Sequence, residues 1–426
     1  MTDRYFRPWL ILPATLVLAS FSSMARADIL VGTFNGSGVV RYTEHDIGTQ
    51  TSYGQVTSGS GGLNGTTGVA VGPDGNIYVA SRNTGQILRY EGSTGQFLNV
   101  FATMANNPNP APPPTSIPAS PVHVAFGPDG FLYVGDSAAG AGGTAVERYR
   151  VDGATGTLID ELALNLNFVG GFTFAANGDL LVSDFFGPGT GNASVVRLSK
   201  TGMNVNGSTE FASPTTFVAA MTSPMQTPGG MLIVNNQLWV SDLYGNSIVR
   251  YSAADGTYLA SDIVIPPELV NDVSNFPQQM IFDRTGEHVL LAVLGQGNDL
   301  EGKVLRYNLD GTPADNFIYA TGLPAASSLA IIGDFLEGDF SGDGFVGQDD
   351  LNLILGNWGA EVAGGNALLG DGNGDGFVGQ DDLNMVLGDW GQGDAPVPIP
   401  EPATVVLMGL AGVGLVALRL RSRRAM

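Results

Sequence analysis

From residue 28 to about residue 335 the apolar positions come in short bursts broken by glycine-rich turns, with no helical rhythm. Segments 69–80 (VAVGPDGNIYVA), 124–135 (VAFGPDGFLYVG) and 172–183 (FTFAANGDLLVS) share one pattern of apolar strand, Asx-Gly turn and apolar strand. Weaker copies run over 231–241 and 280–292. Each copy continues into a third apolar run, at 86–90 (QILRY), 145–149 (AVERY), 194–198 (SVVRL), 247–251 (SIVRY) and 303–307 (KVLRY). Turns such as 92–95, Asp255-Gly256 and Asp310-Gly311 then open a fourth strand.

Units of roughly 50 residues with four short antiparallel strands are the signature of propeller blades. Counting second strands gives six, at residues 29–33 and around Ile77, Leu132, Leu180, Leu238 and Val289. The first lacks a preceding strand, and residues 327–332 are placed to supply it, closing the ring by pairing the last strand with the first. Six blades is the expectation, with seven as the alternative. The units resemble the NHL and SMP-30/gluconolactonase group of propellers, which implies a divalent metal on the channel lining in the lactonase branch and a His base in the streptogramin lyases.

The C-terminal region carries a different pattern. Residues 339–350 (DFSGDGFVGQDD) and 371–382 (DGNGDGFVGQDD) begin 32 residues apart. Oxygen-bearing side chains fall at loop positions 1, 3, 5 and 12, with glycine at position 6, as a Ca2+ loop requires. Candidate ligands are Asp339, Ser341, Asp343 and Asp350 with the Phe345 carbonyl, and Asp371, Asn373, Asp375 and Asp382 with the Phe377 carbonyl, for two Ca2+ ions. Leu351, Ile354, Leu355 and Trp358 follow an i, i+3, i+4, i+7 rhythm, so each loop should feed an amphipathic helix that Gly359 or Gly391 stops.

Loops closed by Asp and followed by such helices resemble the duplicated repeats of type I dockerin modules. The resemblance implies a small all-α, calcium-folded adaptor for a cohesin-like partner, with contacts at Gln348, Asp349, Gln380 and Asp381.

Both termini carry transport signals. Arg4 and Arg7, the apolar run 9–21, and Ala25 and Ala27 as a cleavage site read as a secretory signal over residues 1–27. Near the other end, Pro400, Glu401 and Pro402 precede the apolar segment 403–418 and four arginines, resembling the PEP-CTERM sorting signal. The resemblance implies cleavage by an exosortase and delivery to the cell surface or matrix. As a helix that segment would reach only about 24 Å across a hydrocarbon core of about 30 Å, which suits a temporary membrane stop. The expected domains are 1–27, 28–335, 336–393 and 394–426.

The chain has 18 basic and 40 acidic residues. Seven basic residues sit in the two terminal signals, leaving 11 against 38 acidic ones, a surface that repels nucleic acid. The absence of cysteine excludes a thiol nucleophile and a lipoprotein anchor. No catalytic set emerges: Asp136, Asp184 and Asp242 recur at equivalent places, as backbone-binding residues of the following turn would, and His123 alone lies where a channel base would be needed. The expected function is an exported surface or matrix protein whose propeller binds a glycan or protein, joined to a calcium-binding adaptor. Two other readings stay open, a metal-dependent lactonase or lyase displayed by the adaptor and a structural matrix protein.

Overall fold

The computed structural model describes residues 28–43, 55–105, 107–109, 115–117, 119–137, 145–164, 166, 168–185, 193–220, 224–265, 276–283, 286–295, 301–332, 338, 340, 345–360, 370 and 377–392. The signal-cleavage residues Ala25 and Ala27, the loop residues Asp339, Ser341, Asp343, Asp371, Asn373 and Asp375, and the sorting residues Pro400, Glu401 and Pro402 lie outside them.

Six antiparallel sheets form a propeller. Blade 2 runs Thr66–Val71, Ile77–Ser81, Gln86–Tyr90 and Phe97–Thr103, from inner strand to outer. Blade 3 runs Pro121–Phe126, Leu132–Asp136, Ala145–Asp152 and Thr155–Ala163; blade 4 runs Val169–Phe174, Leu180–Asp184, Ser194–Leu198 and Thr215–Val218. Blade 5 is Pro228–Val234, Gln237–Asp242, Ser247–Ser252 and Ile263–Val264, and blade 6 is Pro277–Phe282, His288–Val293, Glu301–Asn308 and Pro313–Pro324. Blade 1 joins the two ends of the ring: Ala326–Ile332 is the inner strand beside Asp28–Thr33 and Gly38–Thr43, in the register Ile29 opposite Ile331 and Val31 opposite Leu329. Among the described residues its outer position holds a single bridge between Val39 and Val56. The structure thus has six blades, closed as the sequence indicates.

Second strands are buried on both faces, which is why they read as unbroken apolar runs. The core is six clusters, each shared by two neighbouring blades, such as Tyr78 and Ile87 of blade 2 with Leu132 and Val134 of blade 3. Around the axis the inner strands approach closely. A Cβ at Gly68 would come within 2.9 Å of the Val124 nitrogen, and one at Gly230 within 2.7 Å of the Gln279 Cα, so only glycine fits.

The repeated turn and the repeated arginine explain each other. Asp74 of the first hairpin accepts from the Asn76 N–H, the Tyr78 hydroxyl (2.9 Å) and Arg89 Nε (3.1 Å), so the third strand is pinned to the turn of its own blade. Arg197 reaches Asp179 at 2.8 Å and Arg306 reaches Asp283 at 3.1 Å in the same way. Blade 3 departs from this: Arg148 pairs with Asp160, while Asp129 accepts the Tyr133 hydroxyl and the Thr209 N–H, each at 2.8 Å. Thr209 belongs to an additional hairpin, Lys200–Met203 with Thr209–Phe211, which the sequence pattern does not indicate.

Beyond the ring, α1 (Gln348–Gly356) and α2 (Gln380–Gly388) share a core of Phe340, Val346, Ile354, Val378 and Val386. Backbone pairing is reciprocal: Val346 bonds to Gly391 and Gln392, and Val378 to Gly359 and Ala360. Two expectations change here. The helices stop at Gly356 and Gly388, three residues early, and Gly359 and Gly391 instead hold positive φ in the turns that carry those pairings. Ile354 is buried, whereas Leu355 and Trp358 are about half exposed, because two nine-residue helices bury only a narrow stripe against each other.

Candidate functional site

Every blade carries a β-bulge at the same place, where the inner strand begins opposite the end of the second. One extra residue breaks the ladder and is turned toward the axis. The bulges place Ser327, Thr67, Val122, Gly170, Gly229 and Gln278 in a ring at one mouth of the channel. A second ring comes from the residue after each second strand: Phe34, Arg82, Ser137, Phe185, Leu243 and Leu294. In all six blades that residue donates its N–H to the carbonyl just ahead of the inner strand, on Ala325, Gly65, Ser120, Phe168, Thr227 or Phe276, at 2.8–3.2 Å. The two rings enclose a cavity of about 390 Å³, within the range of small-molecule sites.

Its described lining is mainly aromatic and aliphatic. Phe168 and Phe185 lie 6.0 Å apart, and Tyr244 meets Phe276 edge-on at 5.1 Å. Phe276 has φ of 46°, and Ala325, also on the lining, 61°. Such left-handed backbone costs a non-glycine residue on the order of 1–3 kcal/mol and gathers at functional sites. Two hydroxyls are already committed: Thr67 donates to the Pro121 carbonyl at 2.6 Å, and Ser327 to the Thr66 carbonyl at 2.8 Å. No carboxylate is among the described residues of the lining, and its one charged side chain is Arg82.

The sequence candidates near the channel have other work. His123 is buried with its ring 4.4 Å from that of Phe172, between blades 3 and 4, and burial lowers its pKa to about 4. It is a neutral packing residue. Asp136, Asp184 and Asp242 do bind backbone: Asp136 accepts from Ser120 (2.8 Å) and Asp184 from Phe168 (3.1 Å), both ahead of the inner strand, and Asp242 accepts from Gln226 and Thr227 there and from Gly245 of the following turn. The reason is the antiparallel pairing, which sets the end of the second strand beside the start of the first. Burial holds the Asp242 carboxyl above its usual range despite these bonds. In blade 2 the Ser81 hydroxyl does the same for Asn64 at 3.0 Å. These groups hold the segments that carry the lining.

In the C-terminal pair of helices, Asp350 and Asp382 are buried and each accepts the N–H of its own Gly347 or Gly379, at 2.7 and 2.8 Å. Gln348, Asp349, Gln380 and Asp381 are exposed in equivalent positions at the two helix starts, with Gln348 and Gln380 donating to Asn352 and Asn384 at 3.1 Å.

The mouth residues were not singled out by motif, since each is one residue in a blade and their chemistry differs. The available signal was the repeat itself: aligning the units by their second strands puts Phe34, Arg82, Ser137, Phe185, Leu243 and Leu294 in one column.

Residues 398–424 match the PEP-CTERM protein-sorting motif. The motif implies an exported protein, anchored in the membrane and processed by an exosortase. Among the described residues no helix is long and apolar enough to cross a membrane. No curated protein matches the chain. Solved structures of similar outline include a protein of unknown function from Bacteroides caccae, at 12% identity over 72% of this chain and 99% of that one with a TM-score of 0.49. A gluconolactonase from Xanthomonas campestris has 16% identity over 64% and 84% of the two chains with a TM-score of 0.40, and virginiamycin B lyase from Staphylococcus aureus has 15% over 66% and 76% with a TM-score of 0.41. The propeller assignment rests on the sheet order itself.

Proposed function

We propose that this exported protein binds a small, ring-bearing extracellular ligand, such as the end of a glycan, at the propeller mouth, and that its C-terminal loops fold around Ca2+ as a docking adaptor. The observation that carries the first part is the aromatic cavity to which all six blades contribute through their bulges. A metal-dependent lactonase would bring carboxylates and an amide together there, and the described lining offers none of the former. A broad protein surface is less well matched by an enclosure of this size. The test is saturation-transfer NMR of the mature chain with phenyl-β-glucoside. Binding is expected in the natural protein and lost in Val122→Trp, which fills the mouth; no binding, or binding unchanged by that substitution, refutes the site.

For the adaptor, the support is the duplicated loop spacing together with the buried closing carboxylates. Asp339, Ser341, Asp343, the Phe345 carbonyl and Asp350 would hold one ion, and Asp371, Asn373, Asp375, the Phe377 carbonyl and Asp382 the other. The exposed Gln348, Asp349, Gln380 and Asp381 would face a cohesin-like partner.

A further inference from the structure

We infer that the ligand of the mouth is a monoanion, a carboxylate on a ring-sized body, with its head held by Arg82; this rests on the mouth being the binding site. The chain is strongly acidic, and its described arginines are otherwise committed. Arg41, Arg89, Arg148, Arg150, Arg197 and Arg306 each pair with a carboxylate, and Arg250 donates to the carbonyls of Ser261 and Asp310. Arg82 does neither. Its Nε donates to the Ser120 hydroxyl at 3.1 Å, and its guanidinium lies 5.8 Å from the centre of the Phe34 ring.

Those two contacts fix the plane of the guanidinium at the rim. They leave the two terminal nitrogens, a planar fork that matches a carboxylate, without a described partner. Burial pushes the Arg82 pKa down, as expected for a cation with no counter-charge beside it. One guanidinium balances one negative charge, which points to a carboxylate and not to a dianionic phosphate. Phe34 beside it and Phe168 and Phe185 elsewhere on the lining provide flat apolar faces, and Leu243 an aliphatic one, for the rest of the molecule. Aromatic acids and acidic sugars share this chemistry, so both belong in the test.

Calorimetry of the mature chain would use phenylacetate against phenylacetamide and glucuronate against glucose. The acid of at least one pair should bind about ten- to a hundredfold more tightly than its neutral partner, the range of a charge-assisted hydrogen bond. The pair that shows the preference assigns the body as aromatic or as sugar. Arg82→Gln should bring the acid down to the affinity of its neutral partner in that variant, and Arg82→Lys, which keeps the charge, should retain part of the preference. Neutral probes that bind as tightly as the acids, or a preference that survives Arg82→Gln, overturn the anion assignment and leave the mouth standing. Failure of all four probes, together with failure of phenyl-β-glucoside, overturns both.

Discussion

His123 makes the stability of the ring depend on pH in a way that can be isolated. Its folded pKa of about 4 lies below the ordinary 6.5 because the imidazole is buried against Phe172. Between these values the unfolded chain carries a proton that the folded chain refuses, so stability is complete above pH 6.5 and falls as the pH drops toward 4. Each pH unit in that window is worth roughly 1.4 kcal/mol, which gives a loss of about 2 kcal/mol at pH 5 and about 3 kcal/mol at pH 4. The perturbation is His123→Gln, which cannot take up a proton, measured beside the natural protein by urea unfolding at pH 7, 6, 5 and 4.5. The offset between the two proteins at pH 7 drops out; only the change in their difference with pH matters. It should change by about 2 kcal/mol in favour of the variant between pH 7 and pH 5. Parallel curves would show that the imidazole takes up its proton in the folded state as readily as in water, and the packing argument would be wrong.

The opposite sign is expected at Glu147, where burial raises the pKa to about 7 from 4.5. Stability from the protonated carboxyl is present below pH 4.5 and lost as the pH climbs to 7, so Glu147→Gln should gain about 3 kcal/mol relative to the natural protein between pH 4.5 and pH 7.5, read from the same unfolding curves. Calcium titration of the mature chain should release heat with a stoichiometry of two, and stabilise the helical module against unfolding by about 2.7 kcal/mol per ion at a hundredfold excess over Kd. Asp350→Ala with Asp382→Ala should abolish both effects; two ions still bound would refute the ligand assignment. Glu401→Gln should leave the protein in the membrane fraction, and normal release after that change would remove the exosortase from its maturation.

The blade repeat was legible because it is local. An Asp-Gly turn between two apolar runs states its own strand-turn-strand geometry, and the period points to six blades, to the second and third strand of each and even to the completion of blade 1 by residues 327–332, observed as Ala326–Ile332. The duplicated twelve-residue spacing at 339–350 and 371–382 is local for the same reason. Other features depended on distance in space. The Ser120 and Phe168 N–H groups that bond to Asp136 and Asp184 precede them by 16 residues, across an antiparallel ladder, and a reading along the chain offers no sign of them. The extra hairpin at residues 200–211 lacks the repeat's pattern because it packs against the edge of blade 3 and not within a blade.

The sequence alone therefore determined the building unit and the C-terminal sorting signal, and favoured six blades over seven. Only the closed ring decided what the units make together. Phe34, Arg82, Phe185 and Leu243 are separated by tens of residues, and each is unremarkable in its own blade. They become one site because six bulges fall at the same depth, and closure carries every bulge to one end of one axis. Whether an arginine has a counter-charge is likewise a property of three-dimensional neighbours: Arg89 finds Asp74 within its own blade, and Arg82 finds a hydroxyl and a ring.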